Sequence, residues 1–325
     1  MFQKKQKLLL SSIALFTLLF SITQISFAGV NAAPYLRLGA GARSLGLGGA
    51  FTAIADDATA TVWNPAGLPT ATPSAQGYAF TFYTSKLTHD TTHNFLSVVK
   101  QLNPRNSIGL SWIRYGVENL TEYDNTGERR GEFSYSSNAY ALSFGHSLGA
   151  LNIGASARIL ADSFGLDNID PQTGFGGVDL GVIAHSHSHT TLTGNKIPTM
   201  SYGLALKHLG GSLAGDNVPM VVDAGVAFRL IKRDMVTFAF DVEYEFVELG
   251  ESTTKAKVGV EYLIANTFAI RGGGHATRDR RSLFAGFGVN VNELQVDYAY
   301  KLNDSTALDL GLGEDRHLIS LSYGF

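Results

Sequence analysis

The chain has 325 residues, of which 45% are hydrophobic, with 36 glycines, 13 tyrosines, 20 phenylalanines and a net charge of −3. It has no cysteine, which excludes disulfides, thiolate catalysis, zinc–cysteine sites and a lipid-modified N-terminal cysteine. The small net charge removes any bulk electrostatic reason to bind nucleic acid or anionic headgroups, and the wealth of Gly, Tyr and Phe favours strands and tight turns over helices.

Lys4, Lys5 and Lys7 precede an apolar run from Leu8 to Phe20, and Ser26-Phe27-Ala28 places small residues where signal peptidase inspects the chain. The run is short for a hydrocarbon core of about 30 Å. Residues 1–28 are therefore expected to be a removed export signal, cleaved before Gly29. Residues 29–74 read as a small separate segment, Gly- and Ala-rich between Leu38 and Pro69 and ending in Asn64-Pro65-Ala66-Gly67. Asp56 or Asp57 is expected to cap a short helix ending near Trp63. Pro65 denies Asn64 the α region and turns the chain. The glycines at 39, 41, 46, 48 and 49 lack the spacing and the βαβ setting of a nucleotide loop.

From 75 to 325 the period is two. Val236, Phe238, Phe240, Val242, Tyr244 and Phe246 share one face, with Thr237, Ala239, Asp241, Glu243 and Glu245 on the other. The pattern recurs at Val222–Leu230, Ala256–Tyr262 and Leu294–Tyr300. A soluble sandwich would turn the apolar face to a second sheet; a transmembrane barrel turns it to lipid. Small and charged residues on the polar faces, segments of bilayer-crossing length and connections alternating short and long favour the barrel. The strands are predicted near 75–84, 92–101, 106–115, 136–147, 150–161, 176–186, 199–208, 219–230, 235–246, 254–263, 267–275, 282–290, 293–301 and 316–325, with long loops at 116–135, 162–175, 209–218 and 302–315. The fold class is thus all-β, a 14-stranded antiparallel transmembrane barrel in a bacterial outer membrane. Its even strand number puts both termini on the periplasmic side. Outer-membrane lipid is the expected surroundings. Tyr78, Phe80, Phe82, Trp112, Tyr298, Tyr300 and Tyr323 are candidates for interfacial girdles. The final alternating strand ends in Phe325, which resembles the signal read by barrel-assembly machinery.

Four features invite chemistry. Gly145-His146-Ser147-Leu148-Gly149 matches the nucleophile elbow of hydrolases, but its flanks read strand–turn–strand, not strand–turn–helix, so a hairpin turn is preferred and no enzyme is expected. His185, His187 and His189 could share a strand face as weak metal candidates, yet no carboxylate adjoins them and a solvated periplasmic connection is expected there. Arg271-Gly-Gly-Gly-His275 reads as a strand thinned at a bend or bulge. Asp223, Arg229, Asp241, Glu243, Glu245, Lys255, Lys257 and Glu261 lie on successive polar faces, where cross-strand ion pairing is preferred to a polar conduit. No cofactor is implied.

Residues 41–51, GARSLGLGGAF, followed by DDATATVWNPAGL, resemble the N-terminal segment of the FadL/PorV outer-membrane superfamily. That group holds FadL-type transporters of fatty acids and aromatic hydrocarbons and the PorV/PorQ proteins of type IX secretion. The resemblance implies a hatch at 29–74 inside the barrel of 75–325, with Arg43, Ser44, Phe51, Trp63, Asn64, Pro65, Ala66 and Gly67 as its ligand or hatch residues. It implies either passive passage of hydrophobic small molecules or work with secretion-system subunits and exported cargo. A structural barrel without transport is the third expectation. The polar loop 116–135, with Glu118, Glu122, Asp124, Glu128, Arg129 and Arg130, weighs against fatty acids.

Overall fold

Antiparallel pairing runs unbroken around a closed cylinder in the computed structural model, which describes residues 32–71, 76–87, 90–166, 169–190, 196–231, 235–247, 252–302 and 316–324. The export signal, the turn at 232–234, most of the loop 302–315 and Phe325 lie outside the described residues. The strands are β1 (Tyr78–Lys86), β2 (Thr91–Asn103), β3 (Asn106–Tyr123), β4 (Arg129–Ser147), β5 (Leu151–Phe164), β6 (Gln172–Thr190), β7 (Lys196–Leu209), β8 (Val221–Ile231), β9 (Met235–Glu245), β10 (Thr253–Ile264), β11 (Phe268–Ala276), β12 (Arg281–Val291), β13 (Leu294–Leu302) and β14 (Arg316–Gly324). Each pairs with its chain neighbours, and β1 closes on β14 from Ala79↔Gly324 to Ser85↔Leu318. A two-rung hairpin, Ser212–Leu213 with Asp216–Asn217, sits in the predicted loop 209–218 and meets β6 at Phe175↔Ser212. All fourteen predicted strands have their counterpart.

The alternation that predicted them sorts side chains by environment. On β9, Phe238 and Phe240 are 44% and 45% exposed on the outer face, while Asp241 between its inward neighbours is 0% exposed. Ile270, Ile319 and Leu321 continue the apolar exterior, a surface that only lipid can cover at no cost.

Three expectations are corrected. The loop 116–135 is mostly strand: β3 and β4 continue as a ribbon to a turn in which Asp124 Oδ1 accepts from the backbone N–H of Thr126 and Glu128, each at 2.9 Å. A bulge between Val117 and Leu120, with Asn119 at φ 56°, hides the period there. The connection expected at His185–His189 is also strand, since β6 runs to Thr190. Arg271–His275 carries no bulge, and β11 stays in register with β10 and β12 throughout. Irregularities fall elsewhere, among them beside Arg158/Ile159, opposite Gly176 and Gly177, and near His208 (φ 62°) in β7.

Residues 32–71 pack against the inward-facing side chains. They form a 3₁₀ turn (Pro34–Leu38), helix α1 (Ala42–Gly46), helix α2 (Ala60–Trp63) and a second 3₁₀ turn (Pro65–Thr70). These pieces are too short to be stable alone; burial of Leu47, Phe51 and Leu68 at 0% exposure shows that tertiary contact holds them. The wall is cut to receive them. Gly145, Gly154 and Gly181 pair directly across β4, β5 and β6, and Gly203 and Gly225 across β7 and β8, as do Gly259 and Gly273 across β10 and β11. A methyl group on Gly154 would overlap the Pro65 carbonyl, on Gly181 the Asn64 side chain, on Gly203 the Thr52 carbonyl and on Gly273 the Leu47 backbone. Close approach of the segment, not a bend, is therefore the reason for Gly273.

Overpacking against backbone has no cheap relaxation. Gly154→Val and Gly203→Val are each expected to lower unfolding stability by about 3 kcal/mol, whereas Gly131→Val, beside which nothing lies within 4 Å, should stay within about 0.5 kcal/mol. Urea titration in micelles, followed by tryptophan fluorescence, checks the contrast.

Candidate functional site

The eight residues singled out by resemblance lie in the luminal segment, which places them against three sectors of the wall. Around Arg43 the segment meets β8 and β10. Its Nη1 donates to Asp56 Oδ1 at 2.6 Å and to Asp57 Oδ2 at 3.2 Å, and its Nε and Nη2 donate to the Glu261 carboxylate at 3.0 and 3.2 Å. Arg229 Nη2 reaches the other oxygen of Asp56 at 3.0 Å. Arg271 joins from β11, donating to Glu261 at 2.6 Å and to Asp297 at 2.7 Å. Burial opposes the charge on Arg43, but Asp56, Glu261 and Asp57 outweigh it and hold the guanidinium well above its ordinary pKa. Nearby, the Ser44 hydroxyl is spent within the segment, donating to Ala40 O at 2.6 Å, and Ala42 N donates to Ser320 Oγ of β14 at 2.6 Å.

At the centre, Asp241 Oδ2 accepts from Phe51 N and Thr52 N, both at 2.8 Å, and Ser201 Oγ donates to Ala53 O at 2.7 Å. Phe51 lies under the Arg43 guanidinium at 5.3 Å and edge-on to Trp63 at 6.3 Å. The Trp63 indole N–H donates to Ala40 O at 2.8 Å, and its ring is flanked by Lys207 and Lys257 at 5.5 and 5.6 Å. Lys257 in turn pairs with Asp223 at 2.6 Å and Glu243 at 2.7 Å, and Lys255 with Glu243 at 2.7 Å. The inward charges therefore pair across strands and with the segment.

In the third sector, Pro65 leaves Asn64 extended at φ −161°, ψ 108°. The fully buried Asn64 side chain donates to Thr52 O at 2.9 Å and reaches Val182 O and Leu204 O at 3.3 and 3.4 Å, while its Oδ1 accepts from Ala66 N at 3.1 Å. Pro65 and Ala66 abut Gly154 and Gly181, and Gly67 abuts Ala55, where a Cβ would overlap its carbonyl. The expected acidic cap of α2 is corrected. Thr59 is the N-cap, without a side-chain bond, and Asp57 Oδ1 instead accepts from Thr59 N at 2.9 Å. Ser201, Ser320 and the glycines were missed because a hydroxyl or a glycine in a strand has no distinctive sequence; their one signal was falling on inward positions.

The other motifs gain no chemistry. Ser147 Oγ accepts from Gly149 N at 3.4 Å in a hairpin, and Gly145 packs on Leu68 and Pro69. His185 has neither ring nitrogen bonded, and the side chains of His187 and His189 lie outside the described residues. Among the described residues no group of three or more His, Asp or Glu could hold a metal.

Two cavities flank the segment and share no lining residue. One of about 60 Å³ lies where Lys207, Val221, Glu245, Lys255 and His275 end their strands, beside Trp63. One of about 210 Å³ lies at the opposite, tight-turn end, beside Arg43, Asp56, Glu261 and Tyr323.

A family model described as an uncharacterised protein family, UPF0164, matches residues 21–323. No curated protein matches. Among solved structures, the chain is similar to a mutant of the monoaromatic hydrocarbon channel TodX, at 15% identity and a TM-score of 0.62 over 88% of this chain and 99% of that one. It is similar to the Ralstonia pickettii toluene transporter TbuX at 14% identity and 0.61, over 88% and 98%. A Pseudomonas aeruginosa FadL homologue follows at 13% and 0.53, over 93% and 100%. At such identities the likeness is one of fold, that of the FadL-type outer-membrane barrels.

Asn64 offers a graded test. Asn64→Ala removes the donors to three carbonyls and should cost about 2 kcal/mol. Asn64→Asp aims a carboxylate at those same oxygens and should cost more, so urea midpoints are expected to fall from parent to Ala to Asp.

Proposed function

From the premise that the chain belongs to this uncharacterised family, we propose that it is an outer-membrane barrel through which small apolar compounds pass without an energy source, residues 29–74 serving as the hatch that denies the lumen to water and ions. The observation that carries the reading is the double fit of the segment, backbone into glycine notches and charges into partners, with one cavity on either side of it. Partition out of water supplies the driving force, so no cofactor enters. The tight-turn end and both termini are assigned to the periplasm, and Phe325 to recognition by the assembly machinery.

A second reading, an accessory that handles exported cargo with secretion subunits, is favoured by the ribbon of β3 and β4, whose pairing with β2 and β5 ends at Val117 and Tyr135 while the two strands continue together. Cells making the protein should take up labelled toluene or oleate faster than cells without it; equal uptake of both would remove the channel reading. Recovery of secretion subunits or exported cargo on the tagged barrel would then support the second.

Removing the seal has its own signature. In planar bilayers the full chain should be nearly silent to ions, and deletion of residues 32–71 should raise conductance at least about tenfold, as expected of an emptied wide barrel. Silence in a properly folded deletion would show that the segment does not seal.

A further inference from the structure

The net charge of −3 conceals an uneven spread of charge around the rim of the barrel. Residues 116–135, which form the ribbon of β3 and β4, carry five carboxylates against two arginines. Across the barrel, the turn Thr277-Arg278-Asp279-Arg280-Arg281 between β11 and β12 carries three arginines against one aspartate. All three arginines are exposed. Among the described residues, neither the Arg278 nor the Arg280 guanidinium has an ion-pair partner. The turn itself is closed: Thr277 N donates to Arg280 O at 2.8 Å, and Arg280 N donates to Thr277 Oγ1 at 3.1 Å.

The turn adjoins the apolar exterior directly. Arg281 opens β12 opposite Ala276, and Leu283, the next residue on the same outward face, is 62% exposed. Two residues along a strand span about 7 Å. Leu302, the partner of Leu283 on β13, is also exposed, and Phe287 continues the same face. Further along, the outward Tyr298 ring packs on Phe287 at 5.2 Å, and its hydroxyl lies 2.7 Å from His317 Nδ1 on β14. No polar outward residue intervenes between the arginines and the surface that lipid covers.

A soluble acidic partner has no need of that adjacency. A lipid does, because its headgroup and its chains must be met at neighbouring heights on the wall. A zwitterionic headgroup brings its own ammonium to a cationic turn, whereas an anionic one does not. We propose that the turn binds the phosphate of an anionic lipid in the outer leaflet, with Arg278, Arg280 and Arg281 donating to phosphate oxygens and the acyl chains lying on Leu283 and Leu302. The guanidinium fork matches phosphate oxygens two at a time, and the carboxylates of the ribbon repel the same lipid from the other side of the rim. The site rests on the outer-membrane reading, with the long-loop end outward, and is independent of what passes the hatch.

The test is native mass spectrometry of the full chain released from micelles holding equal amounts of phosphatidylglycerol and phosphatidylcholine. Phosphatidylglycerol should stay bound about fivefold more often. Replacing the three arginines together (Arg278→Gln, Arg280→Gln and Arg281→Gln) should lower that ratio to about twofold or less, while Arg129→Gln with Arg130→Gln on the ribbon leaves it unchanged. A retained heat-dependent shift in gel migration shows that each variant is folded. No preference in the parent, a preference that survives the triple change, or an equal loss in the ribbon variant overturns the proposal. So does displacement of the lipid by excess inorganic phosphate, which marks a site for soluble anions, or capture of polyglutamate through the same arginines without a lipid preference, which marks a protein-docking turn. If the parent never gives the gel shift after reconstitution into lipid, the membrane-barrel reading falls and the lipid site with it; a folded parent without the preference removes the lipid site alone.

Discussion

The close approach of the luminal segment's backbone to the barrel wall is the constraint on which the rest of the structure depends. A barrel of fourteen strands encloses more space than its own side chains fill. Here the space is taken by residues that form only single turns of helix, whose order comes from the wall. The wall makes room by removing side chains: Gly145, Gly154 and Gly181 on one side, Gly203 and Gly225 beyond them, Gly259 and Gly273 opposite. Carbonyls of Leu47, Thr52 and Pro65 then lie where side chains would otherwise stand. Glycine weakens a strand, so these positions give up local strand stability for a contact formed only when segment and barrel are both in place.

Charge completes what shape begins. Glycine notches admit the segment at a given depth but hold polar backbone against a wall from which water is excluded, and each backbone donor there needs a partner. Asp241 meets the N–H groups of Phe51 and Thr52, and Ser320 that of Ala42. Arg43 ties the segment's own Asp56 and Asp57 to Glu261 of the wall. Buried pairs of this kind contribute little net stability against an apolar alternative, but breaking one leaves a costly lone charge. Their role is to select one seating of the segment. The inward charges, expected from the sequence to pair across strands, are so paired, and the two cavities lie on either side of the segment.

The protruding ribbon shows how the same residues read differently in one dimension and in three. As a string, 116–135 is a polar loop. Paired, Leu120 faces Phe133 and Val117 faces Tyr135 on the side of the lumen, and Thr121 and Glu132 share the other side. Glu122, one of the charges that weighed against apolar ligands, pairs with Gly131 on the same side as Leu120 and Phe133.

The alternating period, the even strand number and the closing aromatic strand were determined by the sequence alone, because a strand crossing a bilayer must sort its side chains every second residue and no distant contact can alter that rule. The turn at Asn64-Pro65 was likewise local, since proline restricts its predecessor wherever it stands. Tertiary structure alone decided which glycines serve as notches, which carboxylate meets which arginine, and that Arg271–His275 is straight. A glycine at an inward position and a glycine at a bulge are the same letter, and only backbone distant in sequence, such as Pro65 against Gly154 or Leu47 against Gly259 and Gly273, distinguishes them.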